Sequence, residues 1–220
     1  MSDRAIRWAG VAGIVFVILV VITIAVSGSP PMGDDAVSKI RDYYIDHRSS
    51  LLYANLLGVL GIPFILWFAV VLREMFRGDR LTSALGTFSL AGLIVTAPVA
   101  MIGGALNVSV IYVDGAAQAY RPETLRLMYD AQSLAFAATS AGIAAFTLGA
   151  ALAIRRSGAL PGFTMWLAWL AVLGNAVTMF TVLDAGAATI GFTGVTTFAL
   201  FILVTGITMA AGKSKVPAEA

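Results

Sequence analysis

WAGVAGIVFVILVVITIAV, residues 8–26, decides the fold. It carries no charged side chain and a single hydroxyl, Thr23. A helix needs about 20 such residues to cross roughly 30 Å of hydrocarbon. Arg4 and Arg7 precede the run, and Ser27-Gly28-Ser29-Pro30-Pro31 ends it, because proline removes a donor and clashes with the preceding turn. A basic start followed by an apolar run also describes a secretory signal peptide. This run is longer than the roughly 7–15 residues of a signal core, and more apolar segments follow, so an uncleaved first span is expected.

The pattern repeats along the chain. Of 220 residues, 59% are hydrophobic and 12% charged, with a mean hydropathy of +0.90. Soluble domains are about 25% charged. Half that density cannot clothe a water-facing surface, so lipid is the expected solvent. Further spans are expected at about 51–75, 81–113, 122–154, 162–184 and 191–211, after a first span of about 8–27. Six spans with short connections leave no room for a separate soluble domain. The expectation is a single all-α transmembrane domain over residues 1–220.

Residues 34–50 are polar, yet Val37, Ile40, Tyr43, Tyr44 and His47 recur at helical spacing. They predict a short external amphipathic helix at the membrane surface, its aromatic side in the headgroup layer. The alternative is a loop helix packed on the bundle.

Charge gives the orientation. With six spans, Arg4, Arg7, Arg73, Arg77, Arg80, Arg155, Arg156, Lys213 and Lys215 share one side. Lys39, Arg41, Arg48, Arg121 and Arg126 share the other. Counting acidic residues, the first side is +5 and the second −3, consistent with the net +2. Lys and Arg collect in cytoplasmic loops, so both termini are expected in the cytoplasm and the chain in the plasma membrane. Trp8, Trp166 and Trp169 fall near the cytoplasmic interface, where indoles prefer to sit.

Helices in lipid associate through small residues and a few hydrogen bonds. Ala137, Ala141, Ala145 and Gly149 form a small-xxx-small ridge, with Ala138, Gly142 and Ala144 beside it, so the fourth span is expected to be the most enclosed. Pro63 and Pro98 sit mid-helix, where they kink the axis. The polar side chains are distributed unevenly. Asn55, Asn107, Asp114, Asp130, Gln132 and Asp184 lie toward the outer ends of spans two to five, and Asn175 lies deeper. Ionisable groups in membrane segments usually face the bundle interior or a water-filled cavity. These seven residues are therefore candidate ligand contacts around an outward-open polar pocket. The competing reading has the aspartates capping helix ends and the asparagines bonding between helices.

Much chemistry is missing from the sequence. There is no cysteine and one histidine, His47. That removes thiol catalysis and bis-histidine haem ligation, and Asp42 and Asp46 are the only carboxylates close to His47 for a metal. No G-x-S-x-G elbow or phosphate loop occurs. The glycines at 186, 191 and 194 suit a tight turn between spans and lack a phosphate-loop lysine. No lysine lies within a span, which excludes a retinal Schiff base. A carboxylate pair from the outer set, such as Asp130 with Asp184, suits acid–base work in principle. No cofactor, metal or nucleic acid is expected.

Several short stretches carry a resemblance. They are Arg7-Trp8-Ala9-Gly10-Val11-Ala12-Gly13, Gly28-Ser29-Pro30-Pro31, Ile40 to Arg48 with its Tyr43-Tyr44 and His47-Arg48, Leu66-Trp67-Phe68, and Ala159-Leu160-Pro161. In order and spacing the chain resembles a group of small multispanning actinobacterial membrane proteins of unknown function. The resemblance implies the same helix count and orientation, and no activity. The functional expectation is a non-enzymatic accessory subunit, or a binder of lipid or a small apolar ligand near the outer leaflet. Its partners are then membrane lipids and another membrane protein. A small-molecule transporter or channel is the alternative, and an enzyme using the outer carboxylates ranks third.

Overall fold

The computed structural model describes residues 1–183 and 188–214, with the side chains of 188–191 excepted. Among these residues the chain is an all-α membrane bundle. Six helices are long and apolar enough to span a bilayer. They are α1 (Asp3–Ser27), α3 (Arg48–Met75), α4 (Arg80–Ile111), α6 (Pro122–Ser157), α7 (Gly162–Met179), extended by a 3₁₀ turn at Phe180–Val182, and α8 (Ala188–Ala210). Two shorter helices, α2 (Val37–Asp46) and α5 (Ala116–Ala119), lie in the connections. The α5 turn was not foreseen in the sequence.

Helix ends follow local chemistry. Ser2 caps α1, and Gly28, at φ 69°, ends it. The Asp79 carboxylate accepts from the Leu81 and Thr82 amides, each at 2.9 Å, and starts α4. These bonds, with Arg156 at 3.1 Å, hold its pKa down at about 2. Pro122 occupies the first turn of α6, a position that loses no intrahelical bond. Gly158, in the left-handed region at φ 61°, closes α6. Both α3 and α4 continue through Pro63 and Pro98, whose rings lie on exposed surface.

The spans form a ring in chain order. Each packs on the next, and α8 returns to α1. Glycines set the closest approaches. A Cβ at Gly92 of α4 would lie 2.6 Å from the Gly142 carbonyl and 2.6 Å from the Phe146 amide nitrogen of α6. A Cβ at Gly149 would lie 2.8 Å from Leu85 O and Ser89 N. Between them the Ser89 hydroxyl donates to Phe146 O at 2.8 Å. At the ring closure, a Cβ on Gly10 would meet Gly206 O at 2.5 Å. Backbones in lipid need such contact because no hydrophobic force drives helices together there.

α6 is the most enclosed span, with 56% of its central window buried. The small-residue seam uses Ala145 and Gly149 of the expected ridge but takes Gly142 from beside it in place of Ala141. The seam against α4 runs over Gly142, Ala145 and Gly149, while Ala141 is exposed. The α4 residues that specify this register are Ser89, Gly92 and Thr96, a small-residue run overlooked beside the longer alanine pattern of α6.

The apolar core fills the end of the ring that carries both termini. Phe146 sits edge-on to Phe198 and Phe201 at 6.0 and 6.2 Å, and Phe16 edge-on to Phe198 at 6.1 Å. Phe68, Leu72 and Met75 of α3 complete it. A second, smaller cluster lies at the opposite end, where α2 covers α3, α4 and α6.

Candidate functional site

α2 turns its aromatic side inward, onto the bundle. Ile40, Tyr43 and Tyr44 are all buried, against Leu51, Val110, Ile111, Leu125 and Tyr129. Tyr44 is packed edge-on to Tyr129 at 6.3 Å and tilted on Tyr43 at 5.8 Å. A buried phenol needs a partner for its hydroxyl, and each finds one. Tyr43 donates to Ser27 O at 2.8 Å, Tyr44 to Gln132 Oε1 at 2.9 Å, and Tyr129 to Pro31 O. Burial pushes the Tyr43 phenol up to about 12 and raises Tyr44 as well, with the neighbouring tyrosines adding to the effect on Tyr44. Both stay neutral donors at any physiological pH. His47 stacks on Tyr43 at 5.0 Å, and its Nδ1 lies 3.2 Å from Tyr43 O. Its ring abuts Gly28.

Arginines pin the surrounding connections to this cap. Arg126 of α6 forks to the carbonyls of Asp35, at 3.0 Å, and Gly33, and pairs with Asp130 at 2.9 Å. Arg48 donates to the carbonyls of Ile111 and Tyr112 at 2.8 and 3.1 Å. Arg41 donates to Tyr120 O at 3.0 Å. Lys39 pairs with Asp35 at 2.7 Å, and that contact with the Met32 amide lowers the Asp35 pKa. A cavity of about 70 Å³, enough for a few waters, lies between Tyr44, Arg48, Ile111 and α5. Removing the Tyr44 hydroxyl strands the Gln132 acceptor. Tyr44→Phe is therefore expected to cost about 1 kcal/mol, and adding Gln132→Leu should return part of it, since deleting both partners is gentler than deleting one. Thermal unfolding in detergent measures both.

The six candidate ligand contacts among the described residues do not converge on one point. Asn55 and Asn107 come together: the Asn55 amide donates to Asn107 Oδ1 at 3.3 Å and to Leu51 O at 2.8 Å. Gln132 belongs to the tyrosine cap, and Asp130 to Arg126. Asp114 is almost wholly exposed, 3.9 Å from Arg48 Nε. Asn175 bonds the Ala171 and Gly194 carbonyls at 2.8 and 3.2 Å, fastening α7 to α8. Asp184 lies outside the described residues. No cluster of metal-ligating side chains occurs among the described residues.

Between the phenylalanine core and the tyrosine cap, packing lapses. No residue of 18–27 in α1, 55–60 in α3, 97–102 in α4 or 130–136 in α6 is buried. The contacts of Asn55 with Gly104 and of Phe16 with Gly61 put these stretches at overlapping depths. Gly58 is the telling position. The buried stripe of α3 runs Leu51, Ala54, Gly61, Ile65, Phe68, Leu72, Met75, spaced by threes and fours except for a gap of seven after Ala54. Gly58 fills that step of the stripe, yet it is exposed and a Cβ there would meet nothing within 4 Å. Four neighbouring helices thus share a band beneath the cap in which no residue is buried. Asn55 and Asn107 lie at its upper edge. Asn55 Oδ1 and the Asn107 amide nitrogen make no hydrogen bond among the described residues and are not sealed from contact. Sequence periodicity missed this band, because a glycine on a buried stripe reads as close packing.

Six long apolar helices in a closed ring define the class: a multi-pass membrane protein. Comparison with known proteins goes no further, since no family model, curated protein or solved structure matches the chain.

Proposed function

We propose that this chain is a non-enzymatic membrane protein that holds a lipid-like ligand in the recess beneath the tyrosine cap. The observation that carries the reading is the exposed Gly58 on the buried stripe of α3, with open space where a neighbour should be. An apolar chain suits walls made mostly of Ile, Leu, Val and Ala, and the free Asn55 carbonyl and Asn107 amide suit one polar group such as an ester or hydroxyl. The excess of Lys and Arg on the opposite side favours cytoplasmic termini in a plasma membrane, which puts the recess in the outer leaflet. Such a molecule serves as a lipid-holding subunit beside a partner membrane protein. A channel or carrier is less favoured, because the interlocked phenylalanines occupy the cytoplasmic half of the ring.

The test is lipid retention. Protein purified in mild detergent should carry about one co-purifying lipid-like molecule per chain by mass spectrometry. Gly58→Phe, which fills the recess, should abolish this, while Gly58→Ala, which meets no neighbour, should retain it. Equal retention by the wild type and Gly58→Phe, both folded, would sink the reading.

A further inference from the structure

We infer that a second lipid site, selective for an anionic phospholipid, lies at the opposite end of the bundle between α4 and α6. An open groove of about 450 Å³ runs there, lined by Leu81, Leu85, Leu152, Arg155 and Arg156. Its composition is divided by chemistry. The three leucines belong to the apolar spans, and the two arginines stand in the last turn of α6, where the helix leaves the hydrocarbon. A phospholipid has the same division, with acyl chains below and a charged phosphate above.

The two arginines have different jobs. Arg156 is committed to the Asp79 carboxylate that caps α4, at 3.1 Å, so it ties the two walls of the groove together. Arg155 is exposed and has no hydrogen-bond or ion-pair partner among the described residues. A free guanidinium offers a fork of donors matched to phosphate oxygens. Arg80, exposed at the start of α4 next to the lining residue Leu81 and likewise unpartnered among the described residues, adds a second positive charge at this end of α4. Asp79 is already neutralised by Arg156 and the amides of Leu81 and Thr82. The balance at the mouth of the groove is therefore positive, and it selects an anionic headgroup over a zwitterionic one. Basic pockets between membrane helices favour anionic headgroups for the same reason. The groove lies at the far end from the recess and does not depend on it.

The experiment uses the full chain in nanodiscs made with equal parts phosphatidylglycerol and phosphatidylcholine. After release into mild detergent, bound lipid is counted by native mass spectrometry. The wild type should keep phosphatidylglycerol over phosphatidylcholine by about tenfold. Arg155→Gln should lose that preference while keeping its unfolding temperature. Leu152→Trp, which fills the apolar floor and leaves both arginines, should lose the phosphatidylglycerol itself. Added inorganic phosphate at millimolar concentration should not displace the lipid, because the acyl chains contribute to binding; displacement by phosphate would reduce the site to a bare anion contact and overturn the proposal. Equal retention of the two lipids by the wild type, or an unchanged preference in Arg155→Gln, would also overturn it. So would a dimer that carries no lipid and is broken by Leu152→Trp, since the groove would then be occupied by a second copy.

Discussion

Gly92→Ala is expected to destabilise the bundle by about 2–3 kcal/mol, near the upper end of the usual range for overpacking. The added methyl would lie 2.6 Å from both the Gly142 carbonyl oxygen and the Phe146 amide nitrogen. Both are backbone atoms of α6, so no side-chain rotation relieves the clash and the helices must move apart. Moving apart stretches the Ser89–Phe146 bond and unseats Phe146 from its edge-on contacts with Phe198 and Phe201. One methyl therefore reaches the centre of the core. In an ordinary helix the same change is worth about 1 kcal/mol of stabilisation. Gly58→Ala is the internal control, because nothing lies within 4 Å of its new methyl. Thermal unfolding in detergent should place Gly92→Ala well below the wild type and Gly58→Ala level with it or above. Equal midpoints for the two would show that α4 and α6 do not meet at Gly92.

Arg126→Met should release the connection between α1 and α2. Methionine keeps much of the stem and removes the guanidinium that holds the Gly33 and Asp35 carbonyls and pairs with Asp130. Hydrogen bonds from a charged donor contribute about 1.5–3 kcal/mol each, but these three share one partly exposed side chain, so a total loss of about 2–3 kcal/mol is expected. Hydrogen exchange should rise sharply over residues 32–36 and in the first turn of α2, with little change in α7 and α8. Arg126→Lys should not restore protection, because an ammonium lacks the planar fork that reaches several acceptors at once. Unchanged exchange at 32–36 in Arg126→Met would mean that Tyr129 and Pro31 hold the segment without help.

The spans were legible because each is a long apolar run bounded by charge, proline or glycine, and hydropathy alone reads those marks. Asp79, Pro122 and Gly158 carry their capping chemistry in one residue each, so the ends they set are readable locally. The side of α2 that faces the bundle was not legible. Tyr43 and Tyr44 suit a headgroup layer and a buried cap equally well by composition, and the carbonyl and amide acceptors that decide between them, on Ser27 and Gln132, come from distant parts of the chain. The outer asparagines bond between helices, as the competing reading of the sequence had it, but their partners were not legible. Asn55 and Asn107 meet because α3 and α4 run antiparallel at that register, whereas Asp130 serves Arg126 and Asn175 serves α8. Pairing across helices depends on rotation about each axis, and a hydropathy pattern carries little information on rotation.

The closure of α8 on α1 through Gly10 and Gly206 bears on how the molecule is made. Domains emerge from the ribosome N-terminal end first. The face of α1 around Gly10 is therefore synthesised long before the partner that covers it. Until α8 is inserted, the growing protein is an open arc, with α1 and α7 at its two loose edges. Contacts between distant parts of a chain are the slow ones to form. The docking of α8 against α1 is thus a late event, and a chain stopped after α7 would leave in the bilayer a glycine-notched edge on α1 without the α8 backbone that covers it.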